Sequence, residues 1–462
     1  MKVLLTQAPF VMVNEEFKTC TYTLWDRIKR LINYYTEWNL PKKDIRFGVR
    51  AGSRYPFTSL YHGYKPFPFM LAYSASLIKS KGFEVDLIDS VCLDIFNYEY
   101  YLKKVKKTKP DIVIMESATI TIENDLKLLK KISKFAEVAL ACPQMTDEEA
   151  IEVQKKAPYV KYILKGEYIL SSLKAVQTRK AGIYDSEIVE DLDSIPFPYR
   201  DFEWADKYFD GSLEIAKPPQ LQIYGGKGCP FKCIYCMWPQ TMYKGKVSLR
   251  SPKKIAEEIK ESLKTCDYKN IFFDDDTFNL GTERISELCD YLKEIGIPWT
   301  MMGRLDCSPN WLYDKMVESG CVGMRFGVET FNIDILKRIN KGLERVDFKD
   351  TIKYLTEKYP DLHIHLTLMK DLPGQTEEIH EEDVRIMYEL GYQHDIGQHT
   401  YQQSTCAPFK GTALYKELVE TFGQEYIDAN MEIDGQRDTL MTKLNREGYW
   451  DKNKNENFSL RS

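Results

Sequence analysis

Short apolar runs alternate with amphipathic stretches along most of this 462-residue chain, and that alternation restricts it to α/β architectures. Asp111-Ile-Val-Ile-Met115 is apolar without a break, as a strand buried on both faces of a parallel sheet must be. Lys2–Leu5, Phe83–Asp89, Val138–Ala141 and Tyr159–Leu164 read as further strands. Phe67–Lys81, entered through Pro66 and Pro68, and Glu123–Phe135 read as helices between them. The pattern predicts a doubly wound, Rossmann-like domain over residues 1–180, with an insertion at about 14–65. Ligands of such sheets sit beyond the carboxyl ends of the strands. The loops after residues 115, 141 and 164 are therefore expected around a cofactor, with Ser117, Thr119, Gly166 and Glu167 as candidate contacts.

Residues 181–219 lack a period and carry Pro196, Pro198, Pro218 and Pro219, so they read as a linker. Alternation resumes from residue 220. Strand signals fall at 222–224, 270–273, 298–304, 321–329, 362–369 and 396–402, with helices between. That makes about six β/α units over residues 220–412, short of the eight of a closed barrel. Residues 413–462 read as a helical extension that ends in an Asn/Lys-rich tail.

The chain is 43% hydrophobic and 29% charged, with a net charge of -5, which lacks the basic field of a nucleic-acid binder. No apolar stretch is long enough to span a bilayer. The amino terminus reads as a first strand rather than a signal peptide. A cytoplasmic location is expected, where thiols stay reduced. Eight of the eleven cysteines are scattered singly, as small buried hydrophobes usually are.

The other three are not. Cys229, Cys233 and Cys236 lie in Gly228-Cys-Pro-Phe-Lys-Cys-Ile-Tyr-Cys-Met237. A structural zinc site wants four ligands, commonly in two close pairs, and no second pair is present in the sequence. Three thiolates this close suit three irons of a 4Fe–4S cluster, with one iron left for a ligand that is not protein.

Strand alternation predicts what faces inward in this half. In Gly323–Glu329 one face carries Gly323, Arg325, Gly327 and Glu329. The corresponding faces of the neighbouring strands carry Thr300, Met302, Arg304 and Asp306, and His363, His365, Thr367 and Met369. A lumen so rich in charge and imidazole suits a polar ligand better than a packed core. His365 and Tyr401 are expected near a substrate carbon.

The cysteine run, with Tyr235 before its last cysteine, resembles the signature of the radical S-adenosylmethionine (SAM) enzymes. Gly327-Val-Glu-Thr330 and the later Asn340-Lys-Gly342 are similar to that family's fourth-strand segment, and Leu372-Pro-Gly-Gln-Thr376 to the turn after its fifth strand. The first domain resembles the cobalamin-binding domain joined to many of these enzymes. It departs from that pattern in having Cys142-Pro143-Gln144 for the usual Gly-Gly-Pro, and no Asp-x-His-x-x-Gly segment.

The resemblance implies a partial barrel, a 4Fe–4S cluster on the three cysteines, SAM and cobalamin. It places Tyr235 against the adenine and Asp274 and Asp275 near the SAM amino group. It makes Arg304 and Arg325 candidates for the SAM carboxylate and Glu329 for the ribose. It implies reductive cleavage of SAM to a 5′-deoxyadenosyl radical, fed by a one-electron reductant such as flavodoxin or ferredoxin. The implied outcome is cobalamin-dependent C-methylation of a small-molecule or peptide substrate. Cobalamin-dependent rearrangement, cyclisation or oxidation is the alternative, and methylthiotransfer ranks below both. Arg46, Arg50 and Arg54 in the insertion suggest an anionic partner.

Overall fold

The computed structural model describes residues 1–9, 11–13, 45–48, 58–60, 64–93, 95, 97–118, 121–210, 217–394, 397–430 and 439–450. Contacts divide the chain into two compact units. One is Met1–Gln222 with Glu261–Lys269, and the other is Ile223–Lys260 with Asn270–Ser462.

The first unit is built on six parallel strands: β1 (Lys2–Gln7), β2 (Glu84–Asp89), β3 (Ile112–Glu116), β4 (Glu137–Cys142), β5 (Tyr162–Lys165) and β6 (Gly182–Tyr184). Their order is β6-β5-β4-β3-β1-β2, so the chain reverses direction across the sheet between β1 and β3. This is the doubly wound arrangement expected from the apolar runs. Leu4, Val113, Met115, Leu140 and Ile163 supply sheet side chains to a core shared with Leu126, Leu129 and Val153 of the flanking helices.

Three helices of this unit, Tyr98–Thr108, Asp147–Lys156 and Ile169–Thr178, and one strand of its sheet went unread in the sequence. Tyr98–Thr108 is capped by Asn97, and Asp147–Lys156 opens on a reciprocal Thr146–Glu149 capping box. Both are rich in charged residues with only two buried side chains each, so their hydrophobic stripe is thin. Gly182–Tyr184, inside the expected linker, completes the sheet as β6. Val11–Val13, just before the insertion, joins Ile45–Gly48 and Thr58–Leu60 within it in a small antiparallel sheet. Arg50, Arg54 and the side chain of Arg46 lie outside the described residues.

The second parallel sheet contains β7 (Gln220–Ile223), β8 (Asn270–Phe273), β9 (Trp299–Gly303), β10 (Cys321–Glu329), β11 (His363–Lys370), β12 (Gln393–His394) and β13 (His399–Thr405). Its order, β7-β8-β9-β10-β11-β13-β12, leaves it open at both edges. One face packs on helices. Trp299 lies 5.7 Å from Phe273 and 5.6 Å from Phe278, ring centre to ring centre, and Phe326 meets Tyr313 edge-on. The opposite face is polar. In register it presents Met302, Arg325, His365 and Thr400 as one row and Phe272, Thr300, Gly323 and His363 as the next. No helix among the described residues is long and apolar enough to cross a membrane.

Candidate functional site

The cysteine loop follows β7 and is held by residues from the ends of three strands. The acidic run after β8 works on its backbone. Asp275 accepts the Gly225 N–H at 2.7 Å, Asp276 accepts the Gly228 N–H at 2.8 Å, and the Thr277 hydroxyl meets Cys229 Sγ at 3.3 Å. Gly228 has φ +81°, and a Cβ there would lie 2.2 Å from the Lys246 carbonyl oxygen. Only glycine brings the chain into the first cysteine by this route.

The loop's carbonyls are capped in turn. Gln240 donates to the carbonyls of Cys233 and Cys236 at 3.0 and 2.6 Å. Asn340, itself left-handed at φ +54°, donates to the Lys232 carbonyl at 3.0 Å, and the Ile234 N–H reaches the Ile339 carbonyl. The Asn-Lys-Gly segment, which the sequence offers only as a resemblance, thus has a physical task. Asn340 clasps the loop, and Lys341 donates at 2.7 Å to Glu329 in a buried ion pair.

Glu329 ends β10 beyond a register shift, with φ +70°, an uncommon conformation for a residue with a Cβ. Its carboxylate folds back over Gly327, where a Cβ would lie 2.4 Å from Glu329 Oε1 and 3.0 Å from Lys341 Nζ. Tyr235 shares this carboxylate. Burial, and then the Glu329 charge it hydrogen-bonds to, hold its phenol well above the ordinary tyrosine range.

Arg304 stands just past β9. Its guanidinium forks onto Asp306 at 2.9 and 2.7 Å and also reaches the Lys341 carbonyl. It stacks on Phe231 at 3.6 Å and points Nη1 at Cys233 Sγ, 4.0 Å away. Cys307 packs beside Asp306 at 3.8 Å. Burial, then the Asp306 charge, push the Cys307 thiol up to about 12. The Cys229 thiol is also raised by burial, against the pull of Thr277.

Three expectations need correction here. Arg304 faces the cysteine loop with its fork on Asp306, rather than standing open for a carboxylate. Asp275 serves the Gly225 amide rather than an incoming amino group. Tyr401 pairs in register with Leu366 and packs edge-on against Tyr388 of helix Glu377–Glu389 and His394. It therefore lies on the helix side, and strand alternation gives the inward place to Thr400. Asp274 is buried at the end of β8's loop, with its N–H on the Ile223 carbonyl.

The polar face holds His365, whose Nδ1 lies 2.8 Å from Thr400 Oγ1, and His363, 3.5 Å from the same hydroxyl. Burial, reinforced by the Arg325 charge, lowers the His363 pKa to about 4, so it is neutral at pH 7. Arg325 lies over Phe272 at 4.9 Å, and the buried Thr300 hydroxyl beside them has no hydrogen-bond partner among the described residues.

In the first unit the predicted contacts are occupied by the protein itself. Ser117 donates to Asp125 at 2.7 Å, and Thr121 does the same. Glu167 accepts the Val189 N–H at 3.0 Å and so anchors the segment after β6. At the reversal between β1 and β3, Gln7 and Tyr168 both donate to the buried Glu116. Gly166 takes φ +57°, and Thr119 lies outside the described residues. The strand ends are where a doubly wound sheet takes a ligand, but Ser117 and Glu167 are not aimed at one. These two side chains do not fit the cobalamin contacts expected of them.

The sequence reading missed Asp276, Thr277, Gln240, Asn340 and Lys341. The Asp274-Asp-Asp276 run was the available signal, since three carboxylates at a strand end beside a glycine-rich loop find backbone amides there. No three His, Cys, Asp or Glu side chains among the described residues converge on a single metal ion. A cubane makes a different demand, because each thiolate takes a different iron. The three thiols share one loop, and Cys233 and Cys229 have a cationic neighbour in Arg304. This donor set fits a cluster.

Residues 223–386 match the family model of the radical SAM superfamily. The chain is 26% identical over 377 residues to an uncharacterized methyltransferase of Pyrococcus horikoshii, covering 76% of this chain and 78% of the relative. It is 21% identical over 371 residues to a tRNA-2-methylthio-N(6)-dimethylallyladenosine synthase of Desulfotalea psychrophila, covering 74% and 80%. The fold is shared with the radical SAM methyltransferase TsrM of Kitasatospora setae, solved with cobalamin and a 4Fe–4S cluster bound. There the TM-score is 0.61 at 14% identity, covering 91% of this chain and 78% of that one. Residues 223–386 form a radical SAM domain.

Proposed function

We propose that this radical SAM enzyme carries out cobalamin-dependent methylation of an unactivated carbon. The observation that carries the reading is the cysteine loop itself, clasped by Asp275, Asp276, Gln240, Asn340 and Arg304. Its fold extends over a first unit that TsrM, a cobalamin-binding methyltransferase, shares. Cys229, Cys233 and Cys236 would hold three irons, and the fourth would take the amino and carboxylate groups of SAM. The bound cluster supplies one electron for reductive cleavage of SAM.

The chain's own part is positioning and exclusion of water. Tyr235, Glu329 and Lys341 form a hydrogen-bonded set at the end of β10. Tyr235 stays protonated there and donates. His365, Thr400 and the Thr300 hydroxyl offer the polar face to a substrate, with His363 held neutral beside them. A flavodoxin- or ferredoxin-like reductant is the expected electron source. No residue of the first unit is assigned to cobalt, because the side chains at its strand ends satisfy one another.

Anaerobic loading with iron, sulfide and hydroxocobalamin tests the reading. With methyl-labelled SAM and a low-potential reductant such as dithionite it predicts a methylcobalamin absorption band beside the cluster band, and label on the bound cobalamin. A cluster band without any retained cobalamin would sink the methyltransferase reading and leave the radical SAM assignment standing. Methylthiotransfer has support from the Desulfotalea relative, but Cys92 and Cys142 are each buried within the first unit. Finding about eight irons per chain in place of about four would favour it.

A further inference from the structure

We propose that Arg304 is a positioning residue that sets the reduction potential of the cluster, acting on the Cys233 thiolate rather than on SAM. The inference rests on the reading that the three cysteines hold a 4Fe–4S cluster. Arg304 is buried, with only 5% of its surface exposed, so its charge acts through little water. Nothing about its pose is loose. Nε and Nη2 are fixed on the two oxygens of Asp306, Nη2 also on the Lys341 carbonyl, and the planar group stacks on Phe231 between the first two cysteines. Asn279 holds the strand end from behind, accepting the Arg304 N–H at 3.0 Å and donating to its carbonyl at 2.8 Å. What this leaves is Nη1, directed at Cys233 Sγ at 4.0 Å.

A donor and a positive charge aimed at a ligating sulfur stabilise the more negative, reduced cluster, and so raise its potential. Asp306 pairs the buried guanidinium through both carboxylate oxygens. It also keeps the fork from turning toward another anion. A lysine could supply the charge near the sulfur, without the two-nitrogen fork on Asp306 that fixes the arginine's pose.

The test compares Arg304→Gln, which removes the charge, with Arg304→Lys, which keeps it. Iron and sulfide per chain are measured first, and electron paramagnetic resonance then follows the reduced cluster in a redox titration without SAM. If the wild-type protein holds no cluster, the cysteine reading fails, which is separable from failure of this proposal. With iron retained, Arg304→Gln is expected to lower the reduced-to-oxidised ratio at fixed potential at least tenfold, about 59 mV for one electron. Arg304→Lys is expected to recover most of that loss, with Kd for SAM within a few-fold of wild type in both. An unchanged potential in Arg304→Gln overturns the proposal, as does a selective loss of SAM binding with the potential intact. If Arg304→Gln cannot hold iron, Arg304→Lys decides. A potential near wild type supports the charge account, and one displaced by the full tenfold contradicts it.

Discussion

The two parallel sheets place similar polar residues at the ends of their strands and use them in opposite ways. In the second sheet they reach forward onto one loop: Asp275, Asp276 and Thr277 after β8, and Arg304 after β9. In the first sheet they bond to one another. Gln7 and Tyr168 close on Glu116, Ser117 and Thr121 on Asp125, and Glu167 on the backbone of Val189. Position at a strand end is therefore weak evidence for a ligand contact. The better guide is whether the polar group's hydrogen bonds are already filled by its own neighbours.

Breaking the forward-reaching set should cost the most. Gly228→Ala forces a Cβ into the Lys246 carbonyl and strains a left-handed backbone. The expected outcome is a folded protein with under about one iron per chain after reconstitution. Wild-type iron content in that variant would undo the account of how the loop is held.

Glu329→Ala leaves Lys341 as a buried charge without its partner. Such a loss typically costs about 3–5 kcal/mol. Chemical denaturation should show it, together with impaired SAM binding. A stability change under about 1 kcal/mol would mean that the pair is solvated in solution.

His363 separates the sheets by pH. Its folded pKa of about 4 lies below the ordinary 6.5, so folding excludes a proton that the unfolded chain accepts. Stability from this group is fully present above pH 6.5 and is lost as pH falls toward 4, by about 3 kcal/mol over that window. His363→Gln should flatten this part of the stability-pH curve. An unchanged slope would contradict a neutral, buried imidazole.

Tyr168→Phe removes one donor from buried Glu116 and should cost about 1–3 kcal/mol of stability. Iron content and SAM cleavage should not change. A tenfold fall in SAM cleavage at constant stability would erase the contrast between the two sheets.

Strand periodicity carried much of this architecture. The apolar runs at 111–115, 270–273 and 321–329 lie close to observed strands, because burial on one or both faces writes itself into local composition. Helices Tyr98–Thr108 and Asp147–Lys156 were less legible, since each buries only two side chains under many lysines and acids. Thr146-x-x-Glu149 was nonetheless a readable start signal. At the site, the cysteines were legible from spacing alone. Arg304, Asp275 and Tyr401 were not placed correctly. Alternation does not say where a strand ends, and Arg304 lies one residue past β9, where its direction is set by Asn279 and Asp306. Tyr401 failed for a simpler reason. Inward places in β13 belong to its even positions near His365, which the partner register fixes and a single strand's sequence does not.

The central claim is that the clasped cysteine loop is the reductive centre for SAM. It is tested most directly by quantifying 5′-deoxyadenosine from reconstituted protein, dithionite and SAM under anaerobic conditions, beside a Cys233→Ser variant. The account predicts the nucleoside from the wild-type chain and none above background from Cys233→Ser. Equal yields from both, or no nucleoside from a wild-type chain loaded with about four irons, would contradict it.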